Sequence, residues 1–169
     1  MTPETSSVII EAQPDHYNQL ADFLTQSLRI HRHLDWFETL ELLGSQPFLL
    51  QMDSSRIQAF LCAVNEMENT AWVRSFAVLK RRSVTYSWSQ LLNNALIKFR
   101  DLNVSALAAL AMHPWFKELL IAANFQNRQN IVVLEWQGSL PQQEKINQKV
   151  EMRLMTAEDL DRVVEIDHL

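Results

Sequence analysis

Glycine is almost missing from this chain: among 169 residues there are 2, Gly44 and Gly138. A loop that wraps a phosphate closely needs glycine, because the backbone must approach without a Cβ and often at positive φ. No G-x-G-x-x-G turn and no P-loop can be drawn anywhere in the sequence. Cysteine is scarcer still. Cys62 stands alone in the apolar run Phe60-Leu61-Cys62-Ala63-Val64, which excludes an internal disulfide and a Cys-x-x-Cys pair and reads as a small core residue. No window approaches the roughly 18 consecutive apolar residues of a membrane span. Positive charge is not in excess: the net charge is −5 and the pI about 5.5, which argues against nucleic acid as a partner. Met1 to Gln13 has neither a basic start nor a long apolar run, so no secretory signal is read and a cytoplasmic protein is expected.

What is present is a core. Hydrophobic residues make up 47%, enough for one domain of ordinary size with some chain left over. Val8-Ile9-Ile10 reads as a strand. Pro14 opens a helix, where its missing N–H costs nothing, and Tyr17, Leu20, Leu24 and Leu28 give that helix one apolar face. Ile30-His31-Arg32-His33 reads as a polar hinge. A second helix is expected from Leu34, Phe37, Leu40 and Leu43, with Gly44 at its C-terminal cap. Pro47 to Met52, Arg56 to Asn65 and Thr70 to Val78 read as three strands on tight turns, an antiparallel meander. A loop and a helix follow, with Trp88, Leu91, Leu92, Ala95, Leu96 and Phe99 at helical spacing. Val104 to Met112 is a short strand, Pro114 starts another helix, and Ile131 to Trp136 closes the series as a strand.

The stretch from Phe76 to Leu92 organises this order. A strand ending at Val78 feeds a helix through a polar, basic loop, and such a junction points bare backbone N–H groups at whatever sits before the helix. The frame resembles the coenzyme-binding segment of GNAT-type N-acetyltransferases: a strand-final Val, then R/Q-x-x-G-x-G/A, then a Leu-Leu pair, here Leu91 and Leu92. The Arg/Gln, Gly and Gly/Ala positions hold Ser83, Tyr86 and Trp88. A second spacing agrees. His113 to Phe125 has the length of the family segment N-x-x-a-x-x-x-Y-x-x-x-G-F, with His113 at the Asn, Leu120 at the Tyr, Asn124 at the Gly and Phe125 at the Phe. The resemblance implies an α+β (mixed α/β) acyl-CoA N-acyltransferase fold over about Val8 to Trp136, with a mixed central sheet flanked by helices. It implies acetyl-CoA as coenzyme, held by Phe76, Val78, Ser83, Val84, Thr85, Tyr86, Ser87 and Trp88. In many family members the Tyr protonates the leaving thiolate; Leu120 has no such proton. Tyr86 and Trp88 are expected to set large rings where the phosphates would lie. No catalytic residue is assigned.

Weaker candidates are few. Lys80-Arg81-Arg82 could meet coenzyme phosphates or form a solvated charge run. Glu66 and Glu68 fall in the expected turn near which the family often draws a general base, although turn carboxylates are more often solubilising. His31, His33 and His113 have no metal-ligand spacing. Trp36, Trp72, Trp115 and Trp136 read as core, and Trp88 as a residue near the cofactor cleft.

The tail carries a second signal. Residues 138–149 are polar and Gln-rich and read as a linker. Val150 to Met155 alternates like a strand, Thr156 and Asp159 form a capping box, and Leu160, Val163 and Val164 make an apolar helical face. This looks like the opening strand and helix of a second acetyltransferase domain. Residues 1–137 are thus read as one domain and 150–169 as the start of another; the alternative is a strand and helix that serve the first. Two functions stay open. One is a non-catalytic domain partnering a following catalytic domain, with homodimer formation possible. The other is a divergent acetyl-CoA-dependent N-acetyltransferase acting on a small-molecule or protein amine.

Overall fold

The computed structural model describes residues 7–34, 37–67, 69–132 and 153–167, and of residues 66, 67 and 167 the backbone alone. Two compact units divide the chain, Met1–Arg128 and Gln129–Leu169. The first holds strand β1 (Val8–Glu11), helix α1 (Tyr17–Gln26), β2 (Ser27–Arg32), β3 (Phe48–Asp53), β4 (Arg56–Met67), β5 (Thr70–Leu79), α2 (Val84–Asp101), β6 (Ala106–Ala109) and α3 (Pro114–Ala122). Among the described residues no helix is long and apolar enough to cross a membrane. The mixed α/β architecture expected from the sequence is the one observed.

The sheet runs β1-β3-β4-β5-β2, with β6 also on β5. All its pairings are antiparallel except β5 with β6. The meander forms because period-two apolar runs are separated by short polar turns. At the first turn Ser54 takes a left-handed φ of 56°, which a small polar residue tolerates. Both sheet faces are covered, so alternate side chains enter two cores. Leu49, Leu61, Val73, Phe76 and Val78 meet Trp88, Leu91, Ala95 and Phe99 of α2 and Phe116 and Leu119 of α3. Phe48, Leu50, Phe60, Cys62 and Ala77 meet Leu20 and Phe23 of α1. Cys62 is buried, as its setting in the sequence suggests.

β5 carries a bulge. Cys62 pairs with Ser75, but the next residue, Ala63, pairs with Val73. Arg74 is the extra residue, and the strand bends there. The core-facing positions on the α2 side shift accordingly, from Ala71 and Val73 to Phe76 and Val78.

The segment between α1 and β3 departs from expectation. The helix stops at Gln26, where the Ser27 hydroxyl donates to the Phe23 carbonyl at 2.8 Å. Leu28 leaves the helical face and is exposed on β2, and Ile30-His31-Arg32 is strand rather than hinge. Main-chain pairing with β5 outweighs the helical spacing of Leu20, Leu24 and Leu28. The expected second helix is one 3-10 turn, Thr39–Leu42. Leu34 and Phe37 lie exposed before it, so the apolar stripe that would bury a longer helix is not used. Gly44 does follow the turn with a φ of 95°, a conformation glycine adopts without Cβ strain.

Other boundaries shift less. Glu66 belongs to β4, while Glu68 lies outside the described residues. Ile131 and Val132 are not in a strand, and residues 133–136 of that expected strand lie outside the described set, as do Trp36 and the linker. In the second unit Arg153 to Met155 are not in a strand, with Val150 to Met152 undescribed. The capping box is present: Asp159 accepts from the Thr156 N–H at 2.8 Å and starts a 3-10 turn leading into α4 (Leu160–Asp167). The Arg153 guanidinium grips both Asp159 oxygens at 2.5 and 2.6 Å, and this contact holds the carboxyl well below the usual carboxylate range.

The packing generates a direct expectation. Phe76→Ala, at a fully buried site, lowers the unfolding free energy by about 3–5 kcal/mol in urea titration. Leu96→Ala, at an exposed position of α2, shifts it by no more than about 0.5 kcal/mol.

Candidate functional site: the bent edge of β5

The bulge at Arg74 divides one edge of β5 between two partners. Before it, Thr70 to Val73 pair in parallel with Ala106 to Ala109 of β6. Beyond it, Ser75, Phe76, Ala77 and Val78 pair with Arg32, His31, Ile30 and Arg29 of β2. At the bulge itself the Arg74 carbonyl accepts from the His33 N–H at 2.7 Å. The opposite edge belongs to β4 along the whole strand. From Ser75 to Val78 the backbone is therefore paired on both sides. A ligand that reads a strand by its amides needs an open edge, and here the edge is closed by the chain itself.

Side chains lock this closure. The buried Ser75 hydroxyl donates to the His31 carbonyl at 3.0 Å and lies 3.1 Å from the buried Thr39 hydroxyl. The 3-10 turn is thereby tied to β2 and β5 together. On the α3 side the fully buried His31 ring stacks on Phe116, with ring centres 3.7 Å apart and planes 14° apart. Neither ring nitrogen finds a partner in hydrogen-bonding geometry. Burial pushes the His31 pKa down to about 4, with the Val73 backbone opposing the shift and His33 and His113 adding to it.

The helix expected after the loop is present as α2. Ser83 is the N-cap of α2: its hydroxyl accepts from the Tyr86 N–H at 3.2 Å and its carbonyl from the Ser87 N–H at 3.0 Å. Among the orphan donors of the first turn, the Ser83 hydroxyl meets that of Tyr86, and those of Val84 and Thr85 stay open. Lys80, Arg81 and Arg82 precede them. Arg82 is fixed, its Nε donating to Gln58 at 3.0 Å and its guanidinium pairing with Asp53. On the α1 side of this loop lies a groove of about 540 Å³, floored by Phe23 and Ile57 and rimmed by Arg56, Lys80, Arg81 and Arg82.

The expected coenzyme residues thus occupy three settings. Phe76 and Val78 are core side chains in a strand with no open edge. Ser83, Val84, Thr85 and Tyr86 form the first turn of α2, and Tyr86 is 38% exposed. Ser87 and Trp88 are buried. The Trp88 ring does not stand over the loop. It packs against Phe76 and Phe116 at 5.0 and 5.4 Å, edge to face, because position 88 lies on the same helical face as Leu91, Leu92 and Ala95. Of the two rings expected in the phosphate cradle, only Tyr86 borders the helix start. The late segment keeps its backbone form: Asn124 has φ of 63° and the Phe125 N–H reaches the Leu120 carbonyl at 3.0 Å, so Asn takes the left-handed cap position. Leu120 is buried among apolar side chains.

No family model and no curated protein matches the chain. Solved structures do. An aminoglycoside N-acetyltransferase AAC(6')-Iy in complex with CoA superposes with a TM-score of 0.60 at 10% identity, over 82% of this chain and 99% of that one. The ribosomal-protein-alanine N-acetyltransferase of Brucella melitensis biovar Abortus 2308 gives 0.60 at 15% identity, over 78% and 99%. The apo aminoglycoside 6'-N-acetyltransferase AAC(6')-IG of Acinetobacter haemolyticus gives 0.58 at 13%, over 78% and 99%. The fold is that of the GNAT-type N-acetyltransferases. The identities are low enough that the likeness concerns the fold, and the sequence resemblance in the Phe76 to Leu92 and His113 to Phe125 segments falls within it.

Sequence reasoning missed β2 and the buried His31. A signal existed, since Ser27-Leu28-Arg29-Ile30-His31-Arg32 alternates polar and apolar residues with period two. It was masked by Leu28, which also continues the helical spacing of α1.

The two aromatic residues of the loop-helix junction separate experimentally. Trp88→Ala costs about 3–5 kcal/mol of stability, measured by urea unfolding. Tyr86→Ala, near the exposed helix start, changes stability by roughly 0.5 kcal/mol or less.

Proposed function

We propose that this chain is a non-catalytic domain of the acetyltransferase fold, serving in the cytoplasm as structural or regulatory partner of a catalytic domain. One observation carries the reading: β2 pairs with Ser75 to Val78, so the backbone that the family resemblance assigns to the coenzyme has its hydrogen bonds filled by the protein. The residues at this edge do not fit acetyl-CoA as long as β2 is in place. Two further features agree. The chain has no glycine near the α2 start, and Leu120 offers no proton where the family often uses Tyr.

A second reading, a divergent acetyl-CoA-dependent N-acetyltransferase for a small-molecule or protein amine, is favoured by one feature. The open N–H groups of Val84 and Thr85 lie three and four residues after Arg81, close in sequence to Lys80 and Arg81, a setting that suits phosphate. Structures with the same fold include AAC(6')-Iy with CoA bound.

Acetyl-CoA titration followed by thermal unfolding at neutral pH decides between them. A specific ligand at 100 times its Kd stabilises by about 2.7 kcal/mol, roughly 5–10 °C in Tm for a domain of this size. The non-catalytic reading expects no saturable rise in Tm; a saturable rise of that size supports the enzyme and overturns it.

We also propose that residues 150–169 open a second acetyltransferase-like domain, which would be the catalytic partner. Truncation after Gly138 then leaves a domain with nearly unchanged Tm, and abolishes any dimer that light scattering detects through the tail. Loss of folding on truncation would make the tail an integral part of the first domain.

A further inference from the structure

β2 is held differently from the other strands. It lies at the end of the sheet order, with β5 as its neighbour. Its register slips between Ser27 and Arg29, and Leu28, Arg29 and Arg32 are exposed. Its one fully buried side chain is His31, an ionisable ring whose nitrogens lack partners in hydrogen-bonding geometry. An apolar residue at that position would stack on Phe116 with no polar atoms left unpaired. Histidine makes the attachment of this strand conditional on its own neutrality.

The surroundings of the ring offer a proton no counter-charge. His33, one residue beyond β2, and His113 at the start of α3 both disfavour protonation of His31. Arg74 of β5 bonds His33 Nδ1 at 3.0 Å, and Arg29 of β2 lies 6.0 Å from the centre of the Trp115 ring on α3. Glu38 by the 3-10 turn pairs with Arg32, and Lys117 and Glu118 of α3 are exposed. Burial is the largest influence on the ring; of its neighbours the Val73 backbone favours the charged form, His33 and His113 oppose it, and no carboxylate acts on it. Above about pH 4 a protonated His31 is therefore accommodated far better when the strand swings out and the ring meets water.

We propose that β2 is a displaceable strap over the coenzyme edge of β5, latched by neutral His31 on Phe116 and released when His31 takes a proton. This rests on the placement of β2 used above for the proposed function, and adds the regulation of that same site. Release bares those amides and carbonyls of Ser75 to Val78 that face β2, for an extended ligand chain that carries amides, of which the pantetheine arm of an acyl-CoA is one.

The sign follows from linkage. The ring titrates near its ordinary 6.5 in the open form and near 4 in the closed form. The closed form is fully favoured above pH 6.5 and loses its advantage as pH falls from there toward 4. Between pH 7.5 and 5.0 the opening equilibrium rises about 30-fold.

Hydrogen exchange on the intact chain, corrected for intrinsic exchange rates, reads this directly. The expected result is an approximately 30-fold loss of protection between pH 7.5 and 5.0 at those amides of residues 29–33 and 75–79 that bond across the β2–β5 pairing, with β3 and β4 unchanged. His31→Phe keeps an aromatic stack on Phe116 and removes the titration, so protection in that variant is independent of pH; His31→Leu carries the same expectation. Protection at β2 that does not change with pH, a loss shared equally by β3 and β4, or the same pH dependence in His31→Phe overturns the proposal. Acetyl-CoA binding at pH 7.5 with β2 still protected would instead overturn the non-catalytic reading and leave the latch standing.

Discussion

The structure turns on one extra residue. Arg74 has no partner position on β4, and β5 bends around it. A straight strand in this place would offer β6 a continuous edge. The bend lets β6 follow only as far as Val73, and the edge beyond it needs another occupant. An unpaired run of main-chain donors and acceptors next to a dry core is costly, on the order of 1–3 kcal/mol for each buried group left unmet. In this protein Ser27 to Arg32 supply the missing partner, and Ser75 and Thr39 tie that strand and its following turn in place.

The same economy explains the odd chemistry around it. Ser75 is a buried hydroxyl beside apolar neighbours of β5, held by the His31 carbonyl and the Thr39 hydroxyl within its reach. His31 is the converse case, a buried polar ring with stacking and no partner in hydrogen-bonding geometry. Satisfied and unsatisfied groups meet where β2 joins β5, so the closure carries its weak point in a single side chain.

Much of the fold was legible from period and punctuation. Asp53-Ser54-Ser55 between two apolar runs announces the first hairpin, and the helical spacing of Trp88, Leu91, Leu92, Ala95, Leu96 and Phe99 announces α2. Tyr86 and Trp88 were less well read. Frame alignment treated them alike, whereas helical phase separates them by about 200°, enough to send Trp88 into the core and leave Tyr86 near solvent. The stretch from Ser27 to Leu43 was the least legible. Its local pattern favours helix, and its actual partner is β5, more than forty residues away in sequence. The short period-two run there is overlaid by the helical spacing that Leu28 continues, so neither the helix stop at Gln26 nor the burial of His31 stands out before the pairing is known. Whether Phe76 to Trp88 hold a coenzyme is likewise written in which strand lies beside β5, not in the residues of the loop.

The account stands or falls on whether β2 stays on β5 when coenzyme is offered. Cross-strand NMR contacts report it without any substitution: main-chain protons of Arg29 with Val78, Ile30 with Ala77 and His31 with Phe76, the pairs set by the register. Recorded at neutral pH with acetyl-CoA in large excess, these contacts are expected to persist at full strength. Their disappearance, together with coenzyme contacts along Phe76 to Val78, would contradict the account at its centre.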